Sequence, residues 1–120
     1  KISSSDKGDS RMADTVSLDP FVVQTITSYA QALRIRGVPF DKILVFGSHA
    51  KGTSTPKSDI DVCVISPTFG HDYHKALVSL LSSSIDIEGD LDIVPYTPSD
   101  LLDRYDPLAT EIRTYGKFVV

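Results

Sequence analysis

Apolar residues fall in short blocks whose spacing alternates between a helical and a strand-like period. Positions 1–15, KISSSDKGDSRMADT, carry neither period, are rich in Ser and Asp, and read as a flexible tail. Met12, the only methionine, is a candidate natural start within that tail. The folded unit is therefore expected over residues 16–120. Asp19-Pro20 opens a helix, with aspartate as cap and proline at the first position. Phe21, Val22, Ile26, Tyr29, Ala30 and Leu33 recur at helical spacing, and Gly37 with Pro39 closes the segment. Lys42–Phe46, KILVF, is a branched apolar run between turn signals and predicts a central strand.

Gly47-Ser48 ends that strand and leads into one helical turn, from Ser48 to about Gly52, followed by a polar loop. Asp59–Ile65, DIDVCVI, predicts a second strand. Strand residues alternate faces, which puts Asp59, Asp61, Cys63 and Ile65 on one side and Ile60, Val62 and Val64 on the other. A helix is expected over His71–Ser82, with Tyr73, Ala76, Leu77, Leu80 and Leu81 on its apolar stripe. Leu91–Tyr96 predicts a third strand, with Ile85 as an alternative start and a turn at Glu88-Gly89-Asp90. Thr97 caps a further helix that Asp106-Pro107 breaks; Leu108–Tyr115 is a last helix, and Lys117–Val120 a short terminal strand after Gly116. Alternating helices and strands predict an α/β (α+β) domain: a mixed sheet with helices packed on it.

With 120 residues the chain has the length of one domain. A net charge of −4 argues against a general nucleic-acid binder, which would present a basic face. No stretch approaches the ~20 apolar residues of a membrane span, and no signal peptide is visible, so the expected compartment is the cytoplasm. Cys63 is the only cysteine, which leaves no intrachain disulfide and no Cys-based zinc site; its apolar neighbours predict a buried, inert thiol.

The chemistry concentrates in Val45–Ile65. Carboxylates at i and i+2 of one strand face lie roughly 6–7 Å apart at Cα, from a rise of about 3.3 Å per residue. Their oxygens can converge on a divalent cation, and oxygen donors suit Mg²⁺, which shares its shell with substrate phosphates. Gly47-Ser48 offers backbone N–H groups and a hydroxyl at a helix start, where phosphate binds. Asp92, mid-strand in LDIVPY, is the candidate third carboxylate, because a buried charge there is costly without a cation. An anion site beside an acidic metal site suits displacement at phosphorus.

Gly47-Ser48, ten residues, then Asp59-Ile60-Asp61, with Ala50 and Gly52 between, resembles the nucleotidyltransferase signature. The surroundings are similar to the minimal nucleotidyltransferases, a small prokaryotic branch of the DNA polymerase β superfamily, from about Asp19 to Val120. The resemblance implies the nucleotidyltransferase fold. It implies that Asp59, Asp61 and Asp92 bind two Mg²⁺ ions that grip the triphosphate of ATP or another NTP, with Asp92 helping to activate the acceptor. It gives Gly47, Ser48, Lys51 and Ser58 to the nucleotide. A hydroxyl would attack the α-phosphorus and pyrophosphate would leave. Many relatives carry arginine where this chain has His49 and Lys51; Lys51 can serve as a point charge without the bidentate fork. His49 is open between a phosphate contact and a solvated loop position. His71, His74, Lys57 and Lys75 read as surface or packing residues.

A domain this small lacks the helical extension that larger relatives use to hold an acceptor. The acceptor is therefore expected on a partner or on a second copy of this chain. In the minimal branch that partner is a helical HEPN ribonuclease toxin, and the resemblance implies an antitoxin that transfers AMP to a toxin tyrosine. The alternatives are an antitoxin that neutralises by contact alone and an enzyme modifying a small molecule, such as an aminoglycoside.

Overall fold

The computed structural model of the protein describes residues 18–55 and 57–120. The tail expected at 1–15 lies outside the described residues. Helix α1 spans Pro20–Ile35, and Asp19 caps it by accepting from the Phe21 N–H at 2.8 Å. Its buried residues, Val22, Thr25, Ile26, Tyr29, Ala30 and Leu33, follow the i, i+3, i+4 rule. Phe21, expected on that stripe, is instead 48% exposed. The helix ends in a Schellman motif: the Gly37 N–H donates to Arg34 O, the Val38 N–H donates to Leu33 O, and Gly37 takes φ +74°.

Strands β1 (Lys42–Phe46), β2 (Ile60–Ile65), β3 (Leu91–Tyr96) and β4 (Lys117–Phe118) form one mixed sheet in the order β3-β2-β1-β4. β1 runs antiparallel to β2 and β4, while β2 and β3 are parallel. β1 is central, which explains its unbroken apolar run. The second strand starts at Ile60, one residue later than expected, and Asp59 stands just outside it. The third starts at Leu91, so the alternative start at Ile85 fails: Ile85 is 76% exposed and the segment before Leu91 is irregular. The last strand is regular only at Lys117–Phe118, although the Val119 N–H donates to Ile43 O and the Ile43 N–H donates to Val120 O.

The link from β2 to β3 begins with a 3₁₀ turn, Pro67–Gly70, which the apolar pattern did not foretell. Ser66 caps it and Phe69 drops into the core. Helix α3 follows over Tyr73–Ser83. Its buried stripe is narrower than expected: Leu80 is fully buried, but Tyr73 and Leu81 are 55% and 45% exposed. The Tyr29 hydroxyl donates to Leu80 O at 2.8 Å and ties α1 to α3. Helices α2 (Ser48–Lys51), α4 (Pro98–Leu101) and α5 (Pro107–Tyr115) complete the fold.

Both faces of the sheet are packed. Ile43, Val45, Val62, Val64 and Ile93 join Val22, Ile26, Tyr29 and Leu33 of α1 and Leu80 of α3 in one core. Leu44, Phe46, Cys63, Ile65 and Tyr96 meet Ala109 and Ile112 of α5 in the other. Cys63 is fully buried, and burial pushes its thiol up to about 12, as expected of an inert cysteine. Among the described residues no helix is long and apolar enough to cross a membrane.

Candidate active site

Strand register builds the site. Antiparallel pairing sets Phe46 opposite Asp61, and parallel pairing sets Asp61 opposite Asp92. The three residues thus form one lateral row across β1, β2 and β3, at the end of the sheet where β1 finishes. Neighbouring strands lie about 4.8 Å apart, closer than the i, i+2 spacing along one strand. The cross-strand pair, Asp61 with Asp92, is therefore the closer one, and Asp92 bears on Asp61 through both its charge and a hydrogen bond. Asp92 itself is exposed, not the buried charge expected mid-strand, because it lies on the edge strand near its start. Asp59 stands close enough for its charge to bear on Asp61. Among the described residues no three His, Cys, Asp or Glu side chains gather tightly enough to hold one ion.

Asp61 is half-buried, and partial burial raises its carboxyl above the ordinary carboxylate range. The like charge of Asp92, the hydrogen bond between the two, and the charges of Asp59 and Glu111 push it further in the same direction. A carboxylate pair pressed together in this way favours a cation between its oxygens, and the all-oxygen donor set suits a hard divalent ion.

Gly47 supplies the floor. It follows β1 directly and adopts φ +72°, ψ −148°, a conformation open essentially to glycine alone. A Cβ at this position would collide with Oδ2 of Asp61. Glycine is thus required twice, for the backbone turn and for the close approach of the carboxylate. The same turn starts α2, and Ser48 is its first residue. The first-turn N–H groups of a helix have no partner one turn back within it.

The other expected nucleotide residues fall around this centre. The Ser58 hydroxyl accepts from the Thr55 N–H at 2.8 Å and shapes the loop ahead of β2. His49 is not the solvated loop residue of one reading: it lies on α2, is half-buried, and its Nε2 lies 3.3 Å from Ser58 O, closing the ends of the α2–β2 loop on each other. His71, His74, Lys57 and Lys75 are exposed. The Lys51 ammonium lies 3.7 Å from Glu111 Oε2 and 4.9 Å from the centre of the Tyr115 ring. Glu111 had no mark in the sequence, since nothing in the α5 segment says which strand residues it will face. A cleft of about 670 Å³ opens between α1 and the loop ahead of β2, with His49, Ser58, Ile60, Phe21 and Asp90 among its walls; none of Gly47, Ser48, Asp59, Asp61 and Asp92 lines it.

The family profile of the nucleotidyltransferase domain matches residues 30–114, well over half of the chain. No curated protein matches. A candidate nucleotidyltransferase from Sulfolobus solfataricus has a similar structure, with a TM-score of 0.50 and 17% identity over 78% of each chain. A chain of a toxin–antitoxin structure with AMP-PNP is likewise similar, with a TM-score of 0.50 and 26% identity over 78% of this chain and 71% of that one. The mixed sheet with its packed helices matches the nucleotidyltransferase fold.

Proposed function

Because the chain belongs to the nucleotidyltransferase-domain family, we propose that it transfers AMP from ATP to a hydroxyl of a partner protein, as the antitoxin of a HEPN toxin. The observation that carries the transferase reading is the Asp61 carboxylate, seated on Gly47 and pressed against Asp92 beside the start of α2. Mg²⁺ fits these carboxylates, and when bound it supplies charge neutralisation at the phosphates. Asp61 and Asp92, with Asp59 at the mouth, are the residues that would hold it. Ser48, the Gly47 and Ser48 backbone and Lys51 bind the phosphates, and Ser58 with His49 holds the loop that borders them. Asp92, on the outer strand, stands nearest the acceptor and takes the proton of the attacking hydroxyl. The bond from that oxygen to the α-phosphorus forms as the α–β phosphoanhydride bond breaks, and pyrophosphate leaves.

The partner reading is supported by the toxin–antitoxin structure that holds a nucleotide analogue at 26% identity. Its test uses ATP labelled at the α-phosphate, Mg²⁺, this chain and the protein encoded beside it. Label on a tyrosine of that protein, lost with Asp61→Asn and with Asp92→Asn, is the expected result. Neutralisation of the neighbour without label, surviving both substitutions, would replace transfer with binding. Label on a small molecule alone would replace the protein acceptor.

A further inference from the structure

Lys51 is already engaged. Its ammonium is shared between the Glu111 carboxylate, 3.7 Å away, and the face of Tyr115. Glu111 and Tyr115 are four residues apart on α5 and so share one helix face. Both partners of the ion pair are partly open to solvent, each with a side chain 36% exposed, so phosphate can reach the ammonium.

We propose that Glu111 is a positioning residue that holds Lys51 against Tyr115 until a nucleotide takes the ammonium over. This rests on the nucleotide-binding reading above. As an anion competing for Lys51, Glu111 weakens nucleotide binding. Removing it should therefore tighten the nucleotide, whereas loss of fold would weaken it.

A double-mutant cycle tests this competition. The probe is the ATP analogue with a methylene α–β bridge, titrated calorimetrically in the presence of Mg²⁺. Exposed ion pairs set the expected size at about threefold. Glu111→Gln should tighten the analogue by about threefold when Lys51 is present and leave it unchanged in a Lys51→Met background. Glu111→Asp, one methylene shorter, should tighten the analogue as well, because the charge remains and the reach to Lys51 does not. Weaker analogue binding in Glu111→Gln, or equal tightening with and without Lys51, would overturn the role of Glu111 and leave the transferase reading standing. A wild-type chain that binds no analogue would overturn both.

Discussion

Gly47 shows how much one residue can decide. Its positive φ alone would make any side chain cost about 1–3 kcal/mol. Gly37 has nearly the same φ, +74°, but nothing within 4 Å of where a Cβ would sit. Substituting each by alanine therefore separates backbone strain from collision. Gly37→Ala should lower stability by that strain and keep metal binding. Gly47→Ala should lower stability at least as far and also weaken Mn²⁺ binding, because Oδ2 of Asp61, proposed to hold the cation, has to move. Chemical denaturation and Mn²⁺ titration of the two variants make the comparison. Equal metal binding in both would show that the Asp61 position does not depend on Gly47.

Elements are joined here by single polar contacts between apolar layers. The Tyr96 hydroxyl, at the end of β3, donates to Asp106, the residue that caps α5 and also accepts from the Leu108 N–H. Burial, followed by the hydrogen bond to Asp106, raises the Tyr96 phenol. That same hydrogen bond holds the Asp106 carboxyl below its ordinary range. Asp106 therefore stabilises the fold above the ordinary carboxylate range, and its contribution is lost as pH falls through the depressed value. Tyr96 contributes below the ordinary phenol range, and its contribution is lost as pH rises through the raised value. Tyr96→Phe should flatten both ends of a stability–pH profile measured by denaturant midpoints. An unchanged acid limb would show that the contact does not hold α5.

At the scale of the molecule, the acidic row is a cost of the metal-free fold. Asp61 and Asp92 face each other across β2 and β3 with like charges. A cation that binds only the folded chain adds about 2.7 kcal/mol at a hundred times its Kd. For a domain of this size that raises Tm by roughly 10 °C or more. Saturating Mg²⁺ should produce that shift in the wild type. Asp61→Asn should melt higher than the wild type without metal and gain little when metal is added. Thermal melts followed by circular dichroism, with and without Mg²⁺, provide the check. A wild type indifferent to Mg²⁺ would mean that the row is not a metal site.

Much was legible in one dimension. The apolar periods of α1, β1, β2 and β3 marked the elements, because a buried face imposes its repeat on the residues that fill it. The Asp19-Pro20 and Thr97-Pro98 starts were readable because caps act over three or four residues. Gly47-Ser48 and Asp59-Ile60-Asp61 pointed to phosphate and metal chemistry, since residue type and spacing along a strand are local quantities. Strand order and register were not local. They decided that Asp61 meets Asp92 across two strands rather than Asp59 along one. They set Asp61 over Gly47, and they turned Glu111 and Tyr115 toward Lys51. The exposure of Tyr73 and Leu81 was equally out of reach, because a helix shows its apolar positions in its sequence but not how much of that face a neighbour will cover. The sequence by itself determined which chemical groups this chain owns and which elements carry them. The tertiary structure alone decided which of those groups touch, because contact depends on pairings between strands and helices far apart in the chain.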